Sequence, residues 1–274
     1  MRTKIIAECS TNHCGDMEIA KEMIKTAASC GADFVKFQSF KADHLVGDGW
    51  DIHWYKKTEL SENDHIDLIE CCKENNVEFL TTCFDRRLIP FLSTLGMEYI
   101  KVASTDNESY GMLEELSENF EHIIVSTGMM DSEDIVNLLN NLEDFDVKHT
   151  IMHCISEYPT KPKNSNLFMI DNMNFEQGLW NHEIGFSDHS LGIEVAKVAL
   201  CKNISMIEKH FILDKTMTTP DVKVSIDPME LRELCEYRDF VEVVNGTGTR
   251  VVSEEELKVK KKYVGRWGDN RFRI

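Results

Sequence analysis

Eight short apolar runs, each followed in most cases by an amphipathic helical pattern, constrain this chain more than any other feature. The first four are IIAEC (5–9), FVKFQ (34–38), EFLTTC (78–83) and YIKVAS (99–104). The second four are HIIVSTG (122–128), HTIMHC (149–154), EIGFSDH (183–189) and MIEKHF (206–211). Their length and β-rich composition read as strands. In the first helical pattern Ile19, Met23, Ile24 and Ala27 share one face, and Gly31 marks its end. Ser61 is placed to cap another. Strands alternating with helices predict a parallel sheet, and eight is the number that closes it. The runs are almost continuously apolar, as expected when both faces of a sheet are covered. The expected fold is α/β, a (β/α)8 TIM barrel over residues 1–245. Residues 246–274 then form a C-terminal helix, opened by the capping pattern at Ser253, and a basic tail.

A closed parallel barrel collects its chemistry at the C-terminal ends of its strands. Those ends here carry Glu8, Lys36 with Gln38, Thr82, Lys101 with Ser104, Ser126, His153, Ser187 to His189, and Glu208 to His210. With a side-chain period of two, Lys36 shares a face with Gln38, and Glu208 with His210. Lys101 and Ser104 reach one centre only if the strand ends or bulges between them. His189 and His210 close consecutive strands, and two imidazoles with carboxylates nearby suit a divalent metal. Lys36 and Lys101 would each cost several kcal/mol if buried unpaired. A polyanion between them, held also by the hydroxyls of Thr82, Ser104, Ser126 and Ser187, would relieve that cost. Glu8 could instead neutralise Lys36. His153 and Cys154 read as core packing, as do Met129 and Met130 after the fifth run. The stretch 43–60 is long for a strand-to-helix loop and is a candidate lid.

Charge and cysteine usage exclude several classes. Thirty basic against 48 acidic residues give a net charge of −18, which opposes binding to nucleic acid or an anionic membrane. The nine cysteines are odd in number, form no C-x-x-C pair and fall in apparent core segments, Cys154 and Cys201 among them. Free thiols in a reducing compartment are the expectation, and with no signal peptide or long apolar run the expected location is cytoplasmic.

The motifs IIAECSTNHCGD, GADFVKFQSF, FLTTCFD, IKVAS, VSTGM, HCISEYPT, GFSDHSLG and IEKHF, followed by TTPD, resemble the sialic acid synthase family in order and spacing. These are the N-acetylneuraminate synthases and their legionaminate, pseudaminate and spore-coat relatives. The resemblance runs from about residue 4 to residue 235. It implies a transferase that condenses phosphoenolpyruvate with an N-acyl hexosamine such as N-acetylmannosamine. The products would be phosphate and a nine-carbon 2-keto-3-deoxy sugar acid. It also implies a divalent metal, Mn2+ or Mg2+, held by His189 and His210, and a homodimer. By motif position, Lys36, Thr82, Lys101, Ser104, Ser126 and Ser187 would hold phosphoenolpyruvate, with Lys36 and Lys101 catalytic. Glu8 would be an acid/base, and Gln38, Phe84, Tyr158 and Asp221 would line the sugar site.

The chain departs from the family pattern at several points. Ser104-Thr105-Asp106 stands for Ser-Gly-Glu, and Cys83 stands for a proline. Ser156 or Glu157 replaces an asparagine that contacts phosphoenolpyruvate, and Thr219-Pro220-Asp221 replaces Gly-Pro-Asp. The family's small C-terminal domain, which brings an arginine to the partner's site, has no counterpart before residue 274. Arg266, Arg271 and Arg273 are the arginines in its place. Two other readings stay open, a barrel that binds a sugar or phosphate ligand without catalysis and another metal-dependent carbon–carbon lyase.

Overall fold

Lys4 to Ser10 (β1) pairs in parallel with Phe34–Ser39 (β2) on one side and with Met206–His210 (β8) on the other, so the sheet has no edge. The structure, a computed structural model, describes residues 2–45, 51–176 and 182–265. The remaining strands, in order around the barrel, are Glu78–Cys83 (β3), Tyr99–Val102 (β4), His122–Ser126 (β5), Lys148–Cys154 (β6) and Glu183–Asp188 (β7). The expected (β/α)8 barrel is the observed fold. Four strands end earlier than the apolar runs predict: β4 at Val102, β5 at Ser126, β7 at Asp188 and β8 at His210. Beyond these ends Ala103, Ser104 and His189 line the barrel mouth, while Phe211 is buried in the core.

Helices cover the outside. In chain order they are Met17–Cys30 (α1), Ile52–Thr58 (α2), Glu62–Glu74 (α3), Ile89–Leu92 (α4) and Tyr110–Ser117 (α5). Ser132–Glu143 (α6), Phe168–Glu176 (α7), Glu194–Leu200 (α8), Pro228–Asn245 (α9) and Glu254–Tyr263 (α10) follow. The capping signals act as read. Asp16 accepts from the amides of Glu18 and Ile19, and Ser61 and Ser253 each form a capping box. α1 buries Ala20, Met23, Ile24 and Ala27 against the barrel, while α10 is exposed throughout. The candidate lid contains α2, and residues 46–50 of it lie outside the described residues, as do Arg266, Arg271 and Arg273.

Two apolar cores follow from the period-two alternation. The larger lies between barrel and helices and takes Ile5, Ala7, Val35, Ile100, Val125, Ile151 and Ile207 from the strands. The smaller fills the barrel axis with Ile6, Phe34, Leu80, Tyr99, Ile124, Met152 and Met206. Gly185 stands at the same level, where an added Cβ would meet Met152 and the Met206 carbonyl at 3.1 Å. The cysteines are free and mostly buried, but Cys201, expected in the core, is exposed at the end of α8. Among the described residues no helix is long and apolar enough to cross a membrane.

Candidate active site

One step further along the same inward-facing positions, apolar side chains give way to polar ones. Glu8 follows Ile6, Lys36 follows Phe34, Thr82 follows Leu80, Lys101 follows Tyr99, Ser126 follows Ile124 and Glu208 follows Met206. They form the floor of a cavity of about 410 Å³ at the C-terminal end of the barrel, within the range of about 300–1,000 Å³ usual for small-molecule sites. Every residue read from sequence for catalysis, substrate or metal lines this cavity. β4 ends before Ser104, which therefore reaches the cavity that Lys101 faces from within the strand.

The floor is a charged network in a dry place. Glu8, Lys36, Lys101 and Glu208 are all 5% exposed or less. The Lys36 ammonium lies 2.9 Å from Glu8 Oε2 and 3.4 Å from Glu208 Oε2, and donates to Thr82 Oγ1 at 2.6 Å. Of the two readings open for Lys36, an external polyanion or neutralisation by Glu8, the geometry agrees with the second. Two carboxylates already offset its charge, one brought opposite it by the β1–β2 register and the other reaching it from β8. Lys101 differs. It donates to Ser126 Oγ at 2.6 Å and to the Val102 carbonyl at 3.0 Å, with no carboxylate at ion-pair distance among the described residues. Burial lowers its pKa, an effect that Glu208 partly opposes.

The two carboxylates are pushed apart. Burial, the nearby Glu208 charge adding to it, raises Glu8 to about 7 against the opposing pull of Lys36. Burial would raise Glu208 too, but Lys36, Lys101 and the Ser187 hydroxyl, which donates at 2.9 Å, outweigh it and hold that carboxyl low. One carboxylate thus stays ionised while its neighbour can exchange a proton near neutrality, the pattern of an acid/base pair. Gln38 donates to Glu8 at 3.2 Å and to Ser10 at 2.9 Å. Ser10 donates to Asp221 at 2.6 Å.

His189 and His210 meet at the β7–β8 mouth with ring centroids 5.4 Å apart. His189 Nδ1 is 3.0 Å from the Ile155 carbonyl, and that carbonyl can only accept, so Nδ1 carries the proton. Tyr158 lies over this ring at 4.0 Å, its hydroxyl 2.9 Å from Nε2. Burial lowers the pKa of His210 against the opposing charges of Asp221 and Glu208, and its buried Nδ1 makes no hydrogen bond. The Asp221 carboxylate stands 3.6 Å from it. No cluster of three or more His, Cys, Asp or Glu side chains able to hold a metal occurs among the described residues.

Other strand-end residues go elsewhere. Asp188 and Lys209 point outward and pair at 3.1 Å behind the sheet. His153 bonds the Ser165 carbonyl and stacks on Phe186, in agreement with its packing role. Cys154, read as packing, instead lines the cavity, as do Glu208 and Ser156. Gly128 explains how Ser156 arrives. Its amide donates to Ser104, and a Cβ there would lie 2.2 Å from Ser156 Oγ and 2.6 Å from Ser104 Oγ. Glu157 turns to the surface, toward Asn164 and the Lys161 amide. Thr105 lines the cavity, and its hydroxyl donates to the shortened acid Asp106 at 2.8 Å. Met129 is also corrected. It is 69% exposed at the cavity mouth, while Met130 alone packs on the core. Tyr55, from the long second loop, had no periodic signal to announce it.

The sequence matches the NeuB family over residues 23–250. It is 34% identical to the N,N'-diacetyllegionaminic acid synthase of Campylobacter jejuni, over 94% of this chain and 81% of that protein. It is 31% identical to the N-acetylneuraminate-9-phosphate synthase of Drosophila melanogaster, over 84% of this chain and 65% of that one. The crystal structure of a Leptospira borgpetersenii N-acetylneuraminic acid synthetase in complex with citrate is similar in fold. It has a TM-score of 0.90 and 27% identity, covering 100% of this chain and 94% of that one. The motifs, the closed barrel and the extent of these matches agree, and the chain belongs to the NeuB family.

Proposed function

We propose that this chain is a transferase that condenses phosphoenolpyruvate with an N-acyl hexosamine, N-acetylmannosamine or a relative. The products are phosphate and a nine-carbon 2-keto-3-deoxy sugar acid. The observation that carries this reading is Lys101, a buried ammonium that faces a cavity with hydroxyls and, among the described residues, no carboxylate at ion-pair distance. A phosphate supplies the missing counter-charge. Ser126 and Ser104, with the Gly128 amide held beside them, complete its cradle. Thr82 and Ser187 sit next to it on Lys36 and Glu208.

Each residue then has a task in the chemistry. Condensation joins C3 of the enol to the acceptor's aldehyde carbon and leaves cationic character at C2, where water adds before phosphate departs. Glu8 in its ionised form takes the proton of that water at a carboxylate oxygen, which its raised pKa suits near neutrality. Lys36 and the firmly ionised Glu208 fix the field around it, and Lys101 stabilises the phosphate as it leaves. Gln38, Phe84, Tyr158 and Asp221 line the path of the sugar.

A divalent metal, Mn2+ or Mg2+, fits His189 and His210. His189 Nε2, opposite the protonated Nδ1 and now faced by the Tyr158 hydroxyl, and the buried, unbonded Nδ1 of His210 are imidazole nitrogens of the right kind. Two protein ligands leave positions for water and substrate oxygens, and a metal there would supply a Lewis acid for the acceptor's carbonyl oxygen.

The test is phosphate release from phosphoenolpyruvate with manganese, with and without a panel of N-acyl hexosamines, the products read by mass spectrometry. Sugar-dependent release with a nine-carbon acid is the expected result. No release with any sugar, while phosphoenolpyruvate and metal both bind, would refute the reading.

A further inference from the structure

Ser10, the last residue of β1, sits in an unfavourable backbone conformation inside the cavity wall. Its φ of 48° lies in the left-handed region, where residues other than glycine are uncommon, and it is 1% exposed. The pairing of β1 with β2 slips at the same place. Glu8 stands opposite Lys36, but Ser10 stands opposite Phe37 instead of Gln38. Slips of this kind re-aim a side chain, and Ser10 lines the cavity.

Strain persists where the surroundings over-determine it, and both partners of the Ser10 hydroxyl are specified. Gln38 Nε2 donates to it at 2.9 Å, and it donates to Asp221 Oδ2 at 2.6 Å. The directions follow from chemistry, since an amide nitrogen only donates and an ionised carboxylate only accepts. One hydroxyl thus joins two groups of the cavity wall, Gln38 from β2 and Asp221 from the loop after β8. The main chain of Asp221 is held separately. Its carbonyl accepts from the amides of Val224 and Ser225 and from the Ser225 hydroxyl, to which Asn12 donates at 3.1 Å. Its carboxylate has less support. The side chain is 21% exposed, and among the described residues its one hydrogen bond comes from Ser10. Without that hydroxyl the carboxylate is free to turn about its own side-chain bonds.

We propose that Ser10 is a positioning residue, which locks the Asp221 carboxylate and the Gln38 amide into one rigid wall of the acceptor's path. This inference rests on the synthase reading above and adds a residue to it. The acceptor then meets both groups already oriented, and binding does not have to order them. The proposed phosphate cradle of Lys101, Ser126 and Ser104 shares no hydrogen bond with Ser10 among the described residues.

Ser10→Gly and Ser10→Ala remove the same hydroxyl but differ in backbone cost, because glycine accepts a φ of 48° and alanine resists it. In the full chain with manganese, Ser10→Gly is expected to melt above Ser10→Ala. Both should lower kcat/KM for the N-acyl hexosamine that wild type turns over by about 10- to 100-fold, the size of a lost hydrogen bond to a charged group. The loss should lie in the KM of the sugar, with the KM of phosphoenolpyruvate unchanged. In an Asp221→Ala background Ser10→Gly should change kcat/KM by about twofold at most, since the hydroxyl then has no carboxylate to hold.

Activity lost in Ser10→Ala and kept in Ser10→Gly would give Ser10 a purely structural role and overturn the inference. Full additivity of Ser10→Gly with Asp221→Ala, or an equal rise in both KM values, would overturn it too. No turnover of any sugar by wild type counts against the synthase reading, and crystal structures of wild type and Ser10→Gly then decide the positioning role separately. A carboxylate of Asp221 that turns or loses order in the variant alone supports the inference. The same side-chain conformation in both, or a carboxylate already free in wild type, overturns it.

Discussion

Ile6 and Glu8 lie two residues apart on one strand, both turned to the barrel axis, and the same holds for Phe34 and Lys36, Tyr99 and Lys101, and Met206 and Glu208. The first of each pair belongs to the apolar plug and the second to the cavity floor. Position in the fold is nearly identical, and the energetic sign is opposite. Burying Phe34 or Leu80 stabilises the barrel. Burying Lys101 with no carboxylate at ion-pair distance among the described residues costs stability, a cost that the proposed phosphate would offset. The plug holds the strands in register, and the floor spends part of that stability on electrostatic preorganisation.

The sharpest break of this comparison sets Lys36 against Lys101. Both are buried strand lysines that the synthase reading needs, so both Lys36→Met and Lys101→Met are expected to abolish sugar-dependent phosphate release. Their stabilities should differ in sign. Lys36→Met strands Glu8 and Glu208 together without their cation and is expected to cost about 3–5 kcal/mol, the size of a broken buried pair. Lys101→Met removes a charge with no carboxylate at ion-pair distance among the described residues and should leave the unfolding midpoint unchanged or higher. Chemical denaturation of the two variants, with phosphoenolpyruvate binding by calorimetry, checks this. Equal destabilisation would mean that Glu208, which acts on Lys101 from beyond ion-pair distance, serves it as a full counter-charge.

Next in size is the metal. Chelation is expected to reduce sugar-dependent phosphate release about 100-fold or more, with manganese restoring it. His210→Ala should fold normally, lose manganese in equilibrium dialysis and fail to respond to added metal. Undiminished manganese binding by that variant would place the metal elsewhere.

Glu8 gives a pH signature. Ionised Glu8 is the proton acceptor, and with its carboxyl near 7 the active fraction falls as pH drops below that value. The slope approaches tenfold per pH unit, and Glu8→Gln should lower the rate by about 100- to 10,000-fold and flatten this acid limb. An acid limb that survives in Glu8→Gln would assign the titration to another group, the Glu208 end of the pair included.

What the sequence disclosed and what it hid have one physical cause. Period-two alternation and strand ends are local properties, so the eight strands, Lys36, Lys101, Ser126 and the two histidines could all be read from spacing. The partnership of Lys36 with Glu8 and Glu208 depends on register across three strands, β2, β1 and β8, and β8 lies 170 residues away in the chain, from Lys36 to Met206, a distance that no local pattern records. Glu208 was visible two residues before His210 on the same face, yet nothing local said that it would stay ionised. Ser156 and Met129 come from loops, where side chains have no period, and Tyr55 comes from the short helix α2 within the long second connection. Met129 is the clearest case, since an apolar residue next to an apolar residue reads as core, and only the backbone angle sends one of the two outward.

The smallest expected effect comes from below the plug. His122, at the N-terminal end of β5, is 2% exposed, donates or accepts at 2.8 Å with Thr150 Oγ1 and packs on Tyr99 with centroids 4.7 Å apart. Burial lowers its pKa to about 4, with Glu98 opposing the shift and Lys4 adding to it. The unfolded chain titrates this group near the ordinary value of about 6.5. Between those two values the unfolded state therefore binds a proton that the folded state refuses, so stability falls as the pH falls through that window. The slope from one such group is at most about 1.4 kcal/mol per pH unit. His122→Gln can keep the bond to Thr150 and cannot titrate. It should remove that increment of acid sensitivity between about pH 6.5 and 4 while leaving the acid limb of catalysis in place. Denaturation midpoints across this range separate the two ends of the barrel. A variant that changed the catalytic limb as well would show that the plug does not insulate the floor from the layer beneath it.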